Sequence, residues 1–346
     1  MRADADPAPA PTACEPRRWQ ALSVLLLAAA IDLIDVTVVN IAIPSIHADL
    51  GASAAALEWT IAGYTLAFAV LLITGGRLGD AFGRRRAFLV GVGAFTAASA
   101  ASGLAQSSEV LVAARIAQGA CAALMVPQVL SMIQVLFGPE ERPRAYAMYG
   151  ACAGIATISG PLVAGLLVQA DLFGLGWRPI FLINLPIGIF TLAAGARLVP
   201  ESRAARADRF DLGGVGLMTG ALVLLMFPLV EGHERGWPAW TFASIAASAP
   251  VLALFVAHQR RRERRGASPL VPPRLFGRRG FTGGVLAGLA FFSGIASFFL
   301  VATITLQEGL GFSPLHTALA YLPWSVGIAA ASGAAVRWAP RLGGRL

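Results

Sequence analysis

Runs of about twenty residues that are apolar on every side recur along the whole chain, and this limits the fold more than any other feature. A segment of that length spans the hydrocarbon layer as a helix, because every backbone polar group must be satisfied within the segment itself. Ten such spans are expected, near 22–43, 57–75, 87–105, 109–128, 146–168, 180–196, 212–230, 240–257, 282–305 and 315–336. Of the 346 residues 56% are apolar and only 13% are charged, which excludes a soluble two-domain protein with polar loops. The first span follows Arg17 and Arg18 like a signal peptide, but its apolar run continues past Ala28 to Ala30, so it is read as an uncleaved helix.

The net charge of +8 invites a nucleic-acid reading until the basic residues are located. All 27 are arginine, and 24 fall at the N-terminus or in alternate loops, leaving Arg178 and Arg235 opposite and Arg115 inside a span. This asymmetry predicts a multi-pass protein of the inner (cytoplasmic) membrane with both termini cytoplasmic and no nucleic-acid partner. The organisation expected is a tail at 1–21, six helices at 22–198, two linking helices and a basic loop at 199–280, and two further helices at 281–346. The loop from Gln259 to Gly280 carries eight arginines and reads as a solvated hinge. Shifting the chain by 260 places Leu50, Gly51 and Ser53 on Leu310, Gly311 and Ser313, and Arg77, Gly83 and Arg85 on Arg337, Gly343 and Arg345. This suggests a parallel repeat of the kind that builds rocking transporters.

Within the first span, "IDLIDVTVVNIAIP" carries Asp32 and Asp35, three residues apart and so about 60° from each other on one helix face. An acid at that depth is costly and usually functional, and Arg115 is the one arginine well inside a span. Together they suit proton uptake and release, although a static ion pair fixing two helices accounts for the same residues. Asn40, Tyr64, Gln118 and Asn184 are polar groups in or beside spans and are candidates for lining a substrate cavity. After the second span, "GGRLGDAFGRRR" places Gly76, Asp80, Gly83, Arg84 and Arg85 in a short loop where glycines permit close approach and the acid can pair with an arginine. In the fifth span Gly154, Gly160, Pro161 and Gly165 clear one flank for tight packing. The histidines and the three cysteines have no ligand spacing, so neither a metal nor another cofactor is expected. No nucleophile elbow or phosphate loop is present to support an enzyme.

These motifs carry a resemblance. The loop from Gly75 to Arg86 is similar to the signature loop of the major facilitator superfamily, with Ala81 where a basic residue is usual. The first-span motif, "RIAQGACAALMVPQ" from Arg115, "GIATISGPLVAG" from Gly154, "WRPIFLINLPIG" from Trp177, "SPLVPPRLFGRRGF" and "LQEGLGFSPL" resemble, in order, the motifs of its fourteen-helix drug:proton antiporter subfamily, the EmrB/QacA-like exporters. The resemblance implies an all-α major facilitator fold. It also implies proton-coupled efflux of drugs or other amphipathic small molecules, with Asp35 as principal proton carrier, Asp32 as an added carboxylate and Arg115 as their partner. It gives Gly76 to Arg85 a gating role and the Gly154 to Gly165 helix the antiporter motif. An uncoupled or importing transporter is the first alternative. The second is a truncated, non-transporting membrane fragment, because ten spans are four short of fourteen; the expected partners are then a substrate, protons, the lipid bilayer and a fragment supplying the missing helices.

Overall fold

The computed structural model describes residues 15–203, 211–324 and 326–327. Over these residues the chain is helical: α1 (Glu15–Leu50), α2 (Ala54–Phe82), α3 (Arg84–Gly103), α4 (Ser108–Leu136), α5 (Arg142–Ala170), α6 (Pro179–Leu182), α7 (Asn184–Leu198), α8 (Leu212–Glu234), α9 (Ala239–Arg264), α10 (Arg279–Ile304) and α11 (Pro314–Ala320). Side chains set several starts. The Ser53, Ser107 and Asp211 side chains accept from the backbone N–H of Ala56, Val110 and Gly214, as N-caps do.

Eight helices among the described residues are long and apolar enough to cross a membrane. The expected third span is present as α3 but is not among the eight, because its first turn is three arginines and its far end is rich in Ala, Ser and Gly. Of the expected tenth span, α11 supplies the start, and most of 325–336 lies outside the described residues. So do the repeat positions Arg337, Gly343 and Arg345. The first half of the repeat takes one local form twice. Gly51 and Gly311 have φ of +59° and +68°, and Ser53 and Ser313 cap the following helix.

The helices α1 to α7 pack on one another, with α4 lying along both α2 and α3, and α1 along α5 and α7. The α2–α4 approach is close because Gly75 and Gly119 lack side chains. A methyl at either would collide with the backbone carbonyl of Ala123 or of Tyr64. The α8–α9 hairpin rests on α2, α11 rests on α5, and α10 leans on α1 with much of its surface exposed.

Candidate functional site

Midway along α1, Asp35 is wholly buried and Asp32 is 6% exposed. The two carboxylates turn to different neighbours. Asp35 Oδ2 pairs with Arg115 Nη1 of α4, while its Oδ1 accepts from Gln118 Nε2 of α4 at 2.8 Å and from Asn184 Nδ2 of α7 at 2.8 Å. Arg115 also donates to Gln118 Oε1 at 2.7 Å and to the Thr60 carbonyl at 3.1 Å, and its guanidinium lies 4.3 Å from the centre of the Tyr64 ring. Asn184 donates a second bond, 2.9 Å, to Ser99 Oγ of α3, whose hydroxyl passes on to the Phe181 carbonyl at 2.9 Å. Asp32 accepts from the Tyr64 hydroxyl of α2. The site therefore draws residues from α1, α2, α3, α4 and α7, and the cost of burying its charges is offset by pairing and by hydrogen bonds on each.

Of the candidates for a cavity, Tyr64, Gln118 and Asn184 are buried and bonded to the two carboxylates, while Asn40 is half-buried one turn further along α1 and makes none of these contacts. Ser99 and the Thr60 carbonyl belong to the network without any signal in the sequence, since neither is charged and small hydroxyl residues are common in membrane helices. No group of three or more His, Cys, Asp or Glu among the described residues could hold a metal.

The loop after α2 is a second constellation. Gly83, at φ +114°, links α2 to α3 in one residue, and a side chain there would meet the Glu201 carboxylate. Asp80 accepts from Arg84 at 2.7 and 3.0 Å. The Arg84 N–H donates to the Ser202 carbonyl at 2.8 Å, the Arg85 N–H to Glu201 at 3.2 Å, and the Arg85 side chain to the Ala196 carbonyl. Gly76 faces Pro127 of α4. The loop is thus held against the segment after α7, and Glu201 and Ser202 are partners that sequence reasoning missed. On α5, Gly160 and Gly165 sit where a methyl would strike Thr37 and the Pro314 backbone, Pro161 is buried, and Gly154 is exposed with open space beside it.

The sequence profile of the Major Facilitator Superfamily matches residues 25–346. The chain belongs to that superfamily. Among curated superfamily relatives, the probable actinorhodin transporter of Streptomyces coelicolor is 49% identical over 324 residues, 92% of this chain and 56% of that protein. The tetracenomycin C resistance and export protein of Streptomyces glaucescens is 38% identical over 310 residues, 89% of this chain and 56% of that protein. The chain thus spans little more than half the length of these relatives. A crystal structure of a mutant peptide transporter POT covers 94% of this chain and 69% of its own at a TM-score of 0.59 and 15% identity, which is a likeness of fold. As a superfamily member with these apolar helices, the chain is a multi-pass membrane protein.

Proposed function

We propose that this chain is part of a proton-coupled exporter of amphipathic small molecules, of the fourteen-helix drug:proton antiporter type, working in the cytoplasmic membrane with both termini inside. The observation that carries the reading is the pair of carboxylates, Asp32 and Asp35, buried beside Arg115 between apolar helices. Ionisable groups at such depth are costly and mark proton and ion pathways. One relative, named a resistance and export protein, supports export as the direction. The glycines of α5 and the loop at Asp80 are proposed to serve closure and state exchange, because close backbone approach and an ion pair at a helix junction suit two alternating arrangements.

The test is flux of a fluorescent amphipathic cation in inverted membrane vesicles under an imposed pH gradient. It is run with the chain alone and with a co-expressed fragment covering the stretch of the relatives that the chain does not match. Uptake that needs an acid vesicle interior and collapses with a protonophore is expected in at least one arrangement. Flux indifferent to the gradient in both would instead indicate a facilitator, and transport out of the inverted vesicles an importer.

A further inference from the structure

The two carboxylates differ in the polarity of their hydrogen bonds. Among the described residues every partner of Asp35 is a donor: a guanidinium and two amide NH2 groups. Neither amide is free to turn its oxygen inward, because Gln118 Oε1 is engaged by Arg115, and Asn184 Nδ2 also serves Ser99, whose own hydrogen is directed to Phe181. A proton on Asp35 would therefore point at donors and strip Arg115 of its counter-charge. Asp32 has a different partner. A phenol both donates and accepts, and among the described residues Asp32 accepts a hydrogen bond from Tyr64 alone. A proton arriving on Asp32 stays on that carboxyl and its O–H can donate to the Tyr64 oxygen, so the hydrogen bond reverses rather than breaks. Asp32 is also the carboxylate that retains exposure, at 6% against 0% for Asp35. Among the described residues, the other charged or titratable groups around it are Asp35 on its own helix, Arg115 on α4 and Tyr149 on α5.

We propose that the Asp32–Tyr64 pair is the part of the site that exchanges the coupling proton, and that Asp35 is the fixed counter-charge of Arg115. This rests on the proton-coupled reading above and exchanges the roles that the family resemblance gives the two acids. In the step, a proton from water on one side forms an O–H bond with an Asp32 oxygen, and the Tyr64 hydroxyl turns from donor to acceptor while keeping its own hydrogen. Release to water on the other side reverses both changes, and no covalent bond other than that O–H forms or breaks. Arg115 lies over the Tyr64 ring, so the same phenol joins the exchanging acid to the fixed pair.

The test is pH-difference infrared spectroscopy of this chain reconstituted in lipid, following the high-frequency carbonyl stretch of a buried carboxylic acid. On acidification the parent should show that band, Asp32→Asn should lose it, and Asp35→Asn should keep it. Tyr64→Phe should keep it at a shifted frequency, since the acceptor of the acid's hydrogen is gone. If Asp35→Asn fails to fold, the Asp32 and Tyr64 variants decide the matter. A band that survives undiminished in Asp32→Asn, one unmoved by Tyr64→Phe, or no band in the parent overturns the assignment. The readout is independent of flux. An Asp32 band without gradient-driven transport overturns the coupled-export reading alone, and gradient-driven transport without an Asp32 band overturns this assignment alone.

Discussion

Single residues hold this molecule together at its depth in two ways, by pairing charge and by leaving space. Charge pairing implies a coupling energy between Asp35 and Arg115. Removing Asp35 strands Arg115 and removing Arg115 strands Asp35, so Asp35→Asn and Arg115→Gln should each destabilise by about 3–5 kcal/mol in thermal unfolding in detergent, whereas the double variant should fall well short of the sum. Additive losses would mean that the pair is not coupled. Space is left at Gly119, where a methyl collides with the Tyr64 carbonyl, an obstacle that cannot swing aside as a flexible side chain can. Gly119→Ala should cost about 1–3 kcal/mol in the same measurement and disturb Tyr64, the residue that contacts Asp32. The charged members of the site could be read from the sequence, because acids and an arginine stand out against apolar runs. That Tyr64, Gln118 and Asn184 converge on them could not, because which faces of α2, α4 and α7 meet α1 depends on small-residue contacts such as Gly119 on Tyr64, far apart in the chain.

Helix ends show the same division between what is local and what is not. Asp211 caps α8 and also accepts from His258 at 2.7 Å and Gln259 at 2.8 Å of α9, so one carboxylate closes the hairpin. Burial alone would raise its pKa. The bonds from His258, Gly214 and Gln259 and the charge of Arg262 outweigh that and hold it below the ordinary aspartate value. A depressed carboxylate contributes stability above its unfolded pKa, about 4, and that contribution is lost as pH falls through the folded value. Hydrogen-exchange protection at the start of α8, corrected for the intrinsic rate at each pH, should therefore hold from neutral pH down to about 4 and fall below it, and Asp211→Asn should remove that pH dependence. Helix positions were legible from the apolar runs, since a span's length is fixed by the bilayer. The loop at Gly83 was legible as a turn, but its anchor on Glu201 and Ser202 was not, because those residues lie more than a hundred positions along the chain in an unremarkable sequence.

At the scale of the whole molecule, the arginine asymmetry predicts that reporters fused near Gln106 or Gly236 read periplasmic and one near Arg262 reads cytoplasmic; the opposite pattern would overturn the orientation. The proposed transport also needs a place to bend, and the sequence offers the whole loop from Gln259 to Gly280. Packing narrows that choice. The α8–α9 hairpin is tied to α2 at one end by Trp59 on Glu231 at 3.2 Å and by the Ala55 N–H on Glu234 at 2.8 Å. At the other end Arg77 donates to the Pro269 carbonyl at 2.7 Å, and Gln259 Oε1 accepts from the Leu270 N–H at 2.6 Å. The start of the loop is thereby fastened to α2 and α9 by buried and half-buried groups, whereas beyond Val271 the tie to α9 is an exposed ion pair, Arg274 to Glu263 at 3.4 Å, and bending is expected there. Spin labels at Ala81 and Ala267 should give one narrow distance distribution at every pH and substrate concentration, because both sites ride on the fastened side. A pair at Ala81 and Gly283 should broaden or shift between conditions, because it crosses the remaining hinge. A broad distribution for the first pair would place the hinge before Ser268 and release the hairpin from α2.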